Sequence, residues 1–515
     1  MLGLLALGAC NAIFGIEPGL PGGATGAGGG PSSSCGAPGT AEGTPRKLKA
    51  SLSPGFDNAN AVVHDAKDNL VVAGLFGGAS LDLGAPLARV SSTEVENGFV
   101  IKYDSDGGYL WGQAFGGTKP LRLNAAGVDA VGNIYLTGAV AGKATIGVEV
   151  LDIASDASAD NPDALVFALD PAGNVQWVKS FGNTGVQRGH RIAVDADGSS
   201  YVAGVSYDKV DFGDGNGPIG DAGGFWSFFL KLDPTGNLVW VRPFGSWAAN
   251  LTDDNVEFFQ IAVALDARGH AIVGSTFDGP ILFGSDPETP AGGADAFVAS
   301  LDVIDGKMLW YRTFHQLEGD AAPDGNQWIS ALTVDPCSGD IYAAGGFTRG
   351  IGFESHGGGE AIGDPDAPDI FLARLAGSNG APIWARTYGD HGRQEVSAVK
   401  MAPDGTVILT GFLLSSQDEK GVDFGAPIGV LVPKPKASAP SGNADLFLLK
   451  VNGAGDNLWG IRRGDESAQA AFDVAVDSTG KIASCGITNG TLGLGGTAPA
   501  ITSDTFDAFV ARFDP

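Results

Sequence analysis

Short apolar segments alternate with turns rich in Gly, Asp and Pro along most of the chain, and one arrangement of them recurs. An apolar strand leads into an acidic turn, and a second apolar strand then ends in Gly. The turn carries Asp65, Asp129, Asp195, Asp266, Asp335 and Asp477, with Ala402 in the remaining copy. Successive copies lie 64 to 75 residues apart. A repeat of this length indicates one supersecondary unit that recurs seven times.

A second pattern follows each copy of the first. It is a strand with alternating apolar residues, and it begins at residues 98, 163, 226, 295, 369, 445 and 507. Turns such as Asp170-Pro171-Ala172-Gly173-Asn174 come next, in which Pro presets φ and Gly supplies the positive φ that closes a hairpin. A final strand carries a tryptophan, at Trp111, Trp177, Trp240, Trp310, Trp384 and Trp459. Each unit is therefore predicted to contain four antiparallel strands, A to D.

A four-stranded sheet of this kind cannot bury both of its faces alone, so the units must stack on one another. Radial stacking of seven units predicts an all-β, seven-bladed β-propeller. An open β-solenoid is the rival fold, but its rungs are much shorter than these repeats.

The strand count predicts how the ring closes. Strands A, B and C occur seven times, whereas the Trp-bearing strand D occurs six times, and the chain ends on DAFVARFDP at residue 515. Residues 46–52 have the alternation of a D strand and precede the first A strand. We therefore expect residues 46–52 to pair with residues 507–513 and complete the seventh blade, which would remove two exposed sheet edges.

The units resemble the bacterial SBBP-type β-propeller repeat of extracellular and surface proteins. The residues that carry the resemblance are DALVFALDPAGNVQW, FGNTGVQRGHRIAVDADGSSYVAG and DAFVARFDP. The resemblance spans roughly residues 46–515 and implies a propeller, but it implies no particular chemistry.

The first residues, MLGLLALGAC, resemble a bacterial lipoprotein signal in which residues 1–9 are removed and Cys10 is lipidated. No Lys or Arg precedes the apolar stretch, which departs from the usual pattern. Residues 10–45 contain a run of Gly, Pro, Ser, Ala and Thr, typical of a flexible tether. The expected location is therefore the outer membrane or surface of a Gram-negative cell. Cys35 and Cys337 could pair in an oxidising compartment, although free thiols are equally compatible with the spacing.

Composition narrows the range of partners. The formal net charge is −28, with 59 acidic and 31 basic residues. Because phosphate binding needs a basic surface, nucleic acid is a poor candidate. A protein or a glycan at the cell envelope is the expected partner of a monomeric chain.

The long B–C loops and the D–A connections share one face of the predicted ring, where a binding site is expected. Candidate ligand-facing residues, placed on D–A connections, are Arg188, His190, Trp247, Asp253, Asp254, His391 and Arg393. An Arg beside a His could hold a carboxylate or a sugar acid. The alternative is that these side chains bind loop carbonyls or face solvent.

Catalytic and metal motifs are weak. The six histidines are scattered, and no Gly-x-Ser-x-Gly or Cys/His motif is present, so no catalytic residue is assigned. The sialidase Asp-box and the quinoprotein pattern do not fit. Asp104-x-Asp106-Gly107 and Asp195-x-Asp197-Gly198 resemble the start of a calcium loop, but hairpin turns explain them as well, and no cofactor or metal is expected.

Three hypotheses follow. The first is a lipid-anchored propeller that acts as a non-enzymatic binding module through its loop face. The second is an envelope enzyme, a hydrolase or lyase acting on polysaccharide, on the same face. The third is a purely structural surface protein. Fold alone does not choose among them.

Overall fold

The computed structural model describes residues 45–50, 56–88, 95–152, 161–183, 185–220, 222–245, 261–283, 287–290, 293–315, 325–353, 361–362, 368–389, 392–414, 421–434, 444–494 and 500–513. These residues form β-strands and turns without a helix. None of them forms a helix long and apolar enough to span a membrane.

The strands form seven four-stranded antiparallel blades, as predicted. The A strands are Asp57–His64, Leu121–Val128, Gln187–Val194, Ala262–Asp266, Gln327–Val334, Gln394–Met401 and Gln469–Val476. The B strands are Leu70–Phe76, Ile134–Val140, Ser200–Tyr207, His270–Phe277, Ile341–Phe347, Val407–Leu414 and Ile482–Leu492. The C strands are Asn97–Tyr103, Asp163–Leu169, Phe225–Leu232, Asp295–Asp302, Asp369–Leu375, Ala444–Val451 and Ile501–Phe513. The D strands are Tyr109–Gly117, Val175–Phe181, Leu238–Phe244, Met308–Phe314, Pro382–Tyr388, Asn457–Arg463 and, in blade 7, Pro45–Ala50.

The blades form a closed ring around an axis. The A strands of successive blades contact one another, and the A strand of blade 7 contacts that of blade 1. The A strands are therefore the inner strands, and the D strands are the outer ones. The A–B and C–D turns share one face of the ring, which we call the turn face. The B–C and D–A connections share the opposite loop face.

The predicted closure is confirmed. Strand Pro45–Ala50 pairs antiparallel with strand Ile501–Phe513, with Lys47 opposite Ala511 and Ala50 opposite Phe509. At the turn face, Asp68 of blade 1 accepts hydrogen bonds from the backbone N–H (2.9 Å) and the hydroxyl (2.6 Å) of Ser478 in blade 7. The two ends of the chain therefore share a blade, and that blade is also joined to blade 1.

Tryptophans on the D strands join the blades at the turn face. A β-bulge directly precedes these tryptophans, as at the register shift between Lys231 and Leu232 opposite Trp240. The indole Nε1 then donates to a carbonyl in the C–D turn of the next blade. The four bonds are Trp111 to Pro171 (3.2 Å), Trp177 to Pro234 (3.0 Å), Trp240 to Val303 (3.1 Å) and Trp384 to Gly453 (3.0 Å).

Glycine in the C–D turn is needed for this contact. Gly236 has a φ of 83°, and a Cβ placed on it would lie 2.6 Å from the ring of Trp177 in the preceding blade. The same closeness recurs between Gly306 and Trp240, at 2.7 Å, and between Gly380 and Trp310, at 2.5 Å. The turn therefore requires glycine twice, for its backbone conformation and for the indole beside it.

The B–C loops carry small hairpins, and several of these hairpins fasten a blade to its predecessor. In blade 2, hairpin Lys143–Ile146 and Glu149–Asp152 pairs with the end of strand Tyr109–Gly117 in blade 1. Elsewhere an aromatic residue of the hairpin packs on the aromatic residue that ends the preceding D strand. The ring centroids are 5.6 Å apart for Phe181 and Phe212, 5.5 Å for Phe314 and Phe353, and 5.2 Å for Tyr388 and Phe424.

The cysteines divide into two kinds. Cys337, in the A–B turn of blade 5, is disulfide-bonded, and its partner lies outside the described residues. Cys485 is buried in blade 7 and is not disulfide-bonded. Cys35, the partner that the sequence suggested, lies outside the described residues, so the Cys35–Cys337 pairing stays a prediction.

The turn-face contact can be tested with two matched substitutions. Gly236→Ala and Gly215→Ala both place Ala at a positive φ, of 83° and 81°, but a Cβ at Gly215 meets nothing within 4 Å. Both should lose about 1–2 kcal/mol to backbone strain. Gly236→Ala should lose a further 1–3 kcal/mol, roughly, because it displaces Trp177. Urea unfolding measures the difference, and equal losses in the two variants would contradict the proposed contact.

Candidate functional site

The structure places two of the predicted site residues on an inner strand and not on a D–A connection. Arg188 and His190 belong to strand Gln187–Val194, where Arg188 pairs with Val205. In blade 6 the position equivalent to Arg188 is Glu395, which pairs with Phe412. In strand register, Arg188 therefore corresponds to Glu395 and not to Arg393.

Arg393 does lie on a D–A connection, immediately before strand Gln394–Met401. Its guanidinium forms an ion pair with Glu395 two residues later, and Nε donates to Glu395 Oε1 at 2.7 Å. Burial raises the pKa of Glu395, and Arg393 opposes that rise. Four other candidates, Trp247, Asp253, Asp254 and His391, lie outside the described residues, as does Cys10.

A β-bulge interrupts the inner strands of six blades at the same level around the axis. The bulged residues are Asn60, Asn124, His190, Ser330, Ser397 and Phe472. Asn60 donates from Nδ2 to the carbonyl of Leu123, and Asn124 donates to the carbonyl of Gly189, both at 2.8 Å. In blades 1 and 2 the bulge therefore frees a polar side chain to bond the next inner strand.

His190 occupies the bulge of blade 3 and is 4% exposed. Burial, together with the charges of Arg191 and Arg188, lowers the pKa of His190 to about 3. The imidazole is consequently neutral at physiological pH. The expectation that an Arg–His pair presents two cations to a carboxylate fails for this histidine, although Arg188 keeps its charge.

Three charged side chains lie inside the ring that sequence reasoning missed: Arg191, Lys400 and Asp473. Each is 3% exposed or less. The charges of Arg191 and Lys400 both lower the pKa of Asp473, so the two cations interact electrostatically with this carboxyl across the axis. A signal was present in the sequence. Aligned on the bulge, the residue at the position of Asp473 is alanine in blades 1, 2, 4, 5 and 6.

Asp473 acts as a joint between blades. Its Oδ2 accepts the backbone N–H of Val62 in blade 1 at 3.0 Å, and its Oδ1 accepts the N–H of Val474 at 2.8 Å. Burial raises the pKa of Asp473 to about 7. A carboxyl with a pKa near 7 is a common feature of catalytic sites, but both oxygens of Asp473 are already bonded to backbone N–H groups in the buried interior. The geometry favours a structural role for this carboxyl.

Lys400 interacts electrostatically with Asp473, but its Nζ has no hydrogen-bond partner among the described residues. Burial lowers the pKa of Lys400 to about 8, an effect that Asp473 opposes. A buried ammonium without hydrogen bonds is costly, so this lysine weakens the fold whenever it is charged.

At the loop face, half-buried polar side chains stand at the ends of the inner strands. We call this set, together with the buried Glu395, the axial rim: Arg122, Arg188, Trp328, Arg393 and Glu395. Arg122 forms an ion pair with Glu96, much as Arg393 does with Glu395. The axial rim is the part of the inner ring where charged groups remain accessible to a ligand.

The acidic turns that resemble calcium loops bind their own backbone. Asp104 Oδ1 accepts the N–H of Asp106 at 3.0 Å and that of Gly108 at 2.7 Å. Asp195 accepts the N–H of Ala196, and Asp197 that of Ser199, both at 2.7 Å. In the described part of the chain, no group of three His, Cys, Asp or Glu side chains could hold a metal ion.

No model of a known protein family and no curated protein matches the chain. Solved structures similar to it include Raptor from Chaetomium thermophilum (7% identity, TM-score 0.42, 92% of this chain and 30% of that one). Sqt1 from the same organism has 14% identity and a TM-score of 0.34, over 92% of this chain and 100% of Sqt1. The Pan2 WD40 domain of Neurospora crassa has 11% identity and a TM-score of 0.34, over 73% and 94%. At these identities the likeness concerns the fold alone.

The buried lysine makes a prediction about pH. The unfolded chain keeps the Lys400 proton up to the ordinary lysine pKa of 10.5, whereas the pKa of Lys400 in the folded chain is about 8. Between those pH values the unfolded state binds more protons, so the free energy of unfolding should rise with pH. Lys400→Met should abolish that rise and stabilise the protein at pH 7, by roughly 1–3 kcal/mol.

Urea unfolding at pH 7, 9 and 10 measures both effects. The matched control is Lys307→Met, because the side chain of Lys307 is 77% exposed in a C–D turn. That control should keep the rise seen in the unsubstituted protein. A Lys400→Met variant that keeps it as well would show that Lys400 does not titrate in this range.

Proposed function

We propose that this protein is a non-enzymatic binding module that takes a carboxylate-bearing glycan or protein at its axial rim. The observation that carries the proposal is the gathering of Arg122, Arg188 and Arg393 at the loop-face ends of the inner strands. The chain as a whole has a formal net charge of −28. These guanidinium groups are therefore cations at the loop-face ends of inner strands in a chain that is acidic as a whole.

Guanidinium groups suit this task because their planar donors match the two oxygens of a carboxylate. The paired Glu96 and Glu395 hold two of the arginines in fixed positions. The acidic remainder of the surface repels anions that do not reach the axis, which favours specificity over non-specific attachment.

The proposal includes a location. The lipobox-like Leu7-Gly8-Ala9-Cys10 and the Gly/Pro/Ser-rich residues up to 45 support a lipid-anchored, tethered module on the outer membrane or cell surface of a Gram-negative bacterium. The SBBP-type resemblance of the repeats supports the same setting. An envelope enzyme gains no support from the inner cluster, because the carboxyl oxygens of Asp473 bond backbone amides.

The axial rim is tested by binding of acidic polymers to the full chain. We expect one of polygalacturonate, alginate or hyaluronate to bind, and Arg188→Ala to weaken that binding at least about tenfold. Arg188→Lys should give an intermediate affinity, because it keeps the charge but loses the planar fork. Calorimetry with Arg386→Ala, an outer-strand control, should show unchanged binding. No binding of any acidic polymer or acidic protein segment would refute the proposal.

The anchor is tested separately at Cys10. Expressed in a Gram-negative host, the protein should fractionate with membranes and carry acyl groups on an N-terminal cysteine, since two or more chains give stable attachment. Cys10→Ser should release it from the membrane fraction. Mass spectrometry of the mature N-terminus is the measurement, and an unmodified Cys10 in the membrane-bound protein would exclude lipidation.

A further inference from the structure

The outermost strand of blade 4, Met308–Phe314, has an open edge. It ends its four-stranded sheet, and within the described residues its strand partner is Asp295–Asp302 alone. A groove of about 490 Å³ is lined by six consecutive residues of this strand, 308–313, together with Phe283 and Glu288. Because neighbours on a strand point to opposite faces, a groove lined by consecutive residues follows the edge of the strand and not one of its faces.

This edge lacks the residues that protect the other outer strands. An open edge offers N–H and C=O groups to any extended chain, and proteins block such edges with Pro or Lys or weaken them with Gly. Strand Met308–Phe314 reads MLWYRTF and contains none of the three. Each of the six other outer strands contains at least one, for example Gly112, Lys179, Pro243, Pro382, Gly460 and Pro45.

The ring itself adds a strand to an outer edge elsewhere. Hairpin strand Lys143–Ile146 of blade 2 pairs with the end of strand Tyr109–Gly117 in blade 1. In blade 4 the corresponding contact with the next blade lies beyond the strand, where the N–H of Gly352 donates to the carbonyl of His315 at 2.9 Å. Among the described residues, the edge of 308–313 therefore stays open to a further strand.

Comparison with blade 3 identifies an edge N–H that points away from the sheet. Pro243 pairs with Phe228 on the C strand of blade 3, and Thr313 pairs with Phe297 at the same position of blade 4. Because proline has no N–H, this position donates no hydrogen bond to the C strand of blade 3. The N–H of Thr313, at the matching register, is therefore directed to the open edge.

One face beside the open edge combines apolar and acidic groups. Tyr311 stacks on Phe283, with centroids 4.3 Å apart, and Leu309 on the same face is 47% exposed. The Tyr311 hydroxyl donates to Glu288 Oε1 at 2.7 Å, which holds a carboxylate beside the aromatic pair. Blade 3 has Val241 at the position of Tyr311, so the repeat does not require an aromatic ring there.

We propose that the edge of strand Met308–Phe314 binds an extended peptide by strand addition. The main chain of the peptide pairs with the open N–H and C=O groups, and its alternate side chains meet the face that carries Leu309, Tyr311 and Glu288. Apolar side chains pack on the exposed Leu309 and the aromatic pair. A Lys or Arg suits Glu288, in a chain whose net charge of −28 also favours a basic partner.

Fluorescence anisotropy with labelled synthetic peptides and the full chain tests the proposal. The probes are TVTKTVT and TFTKTFT, which alternate Thr with apolar and basic residues, and their acidic counterparts TVTETVT and TFTETFT. We expect at least one basic peptide to bind. Its acidic counterpart should bind about fivefold more weakly or less, because Glu288 repels it.

Two substitutions of Thr313 separate the backbone from the side chain. Thr313→Pro should weaken peptide binding about tenfold, since it removes one edge N–H. Blade 3 carries Pro243 at this position, so the substitution should leave the blade folded. Thr313→Val is the matched control, because it loses the hydroxyl that contacts His315 but keeps the N–H, and it should bind the peptide unchanged.

Tyr311→Val supplies an independent variant, with the residue that blade 3 has at this position. It should weaken binding several-fold, because the aromatic ring is lost. Arg188→Ala, on the distant axial rim, should leave peptide binding unchanged, so this site and the axial rim are tested separately. No binding of either basic peptide at about 1 mM, or equal binding by Thr313→Pro and Thr313→Val, would overturn the proposal.

Analytical ultracentrifugation of the full chain examines a second occupant, another copy of this chain. We expect a monomer, with or without Thr313→Pro. A dimer that Thr313→Pro dissociates would assign the edge to a second copy and would overturn the peptide proposal.

Discussion

Every blade depends on its neighbour, and the indole that rests on the next blade's turn glycine is the contact that joins them. A single four-stranded sheet leaves apolar residues on both faces, so it is stable only when the next blade covers one face and the previous blade covers the other. The D-strand bulge turns the tryptophan toward the next blade, and glycine in that blade leaves room for it, as Trp177 and Gly236 show. Strand register, turn sequence and blade stacking are therefore parts of one requirement.

The same requirement explains how the ring is closed. Trp459 in blade 6 faces blade 7, whose outer strand is Pro45–Ala50, and its buried Nε1 has no partner within the described residues. Other contacts replace that bond around blade 7. Strand Pro45–Ala50 supplies the outer strand, Asp68 holds Ser478 at the turn face, and Asp473 holds the backbone of Val62 inside the ring. The buried carboxyl of Asp473 thus joins the last blade to the first.

The repeat made most of the fold predictable, because the same strand and turn pattern recurs in every blade. Seven blades, their strand order and the shared seventh blade all follow from counting Trp strands and acidic turns. The candidate site was less predictable from the sequence. His190 sits on a bulge, which shifts the strand register by one residue and which alternation along a single strand does not reveal. The charged groups that act on Lys400, namely Asp473 and Arg191, lie on other blades, so the sequence pattern of one blade could not predict them.

Residues that depart from the repeat are either buried or accessible, and the two kinds have different effects on the protein. Buried departures such as Lys400 and Asp473 alter the stability of the ring and its response to pH, since solvent and ligands do not reach them. Accessible departures such as Arg188 and Tyr311 leave the ring unchanged but offer charge or apolar contacts at a surface. In a protein whose every blade must satisfy the same packing, selection for binding can act with little structural cost only at such accessible positions. Exposure, more than an altered residue type, therefore separates a binding candidate from a structural substitution in this fold.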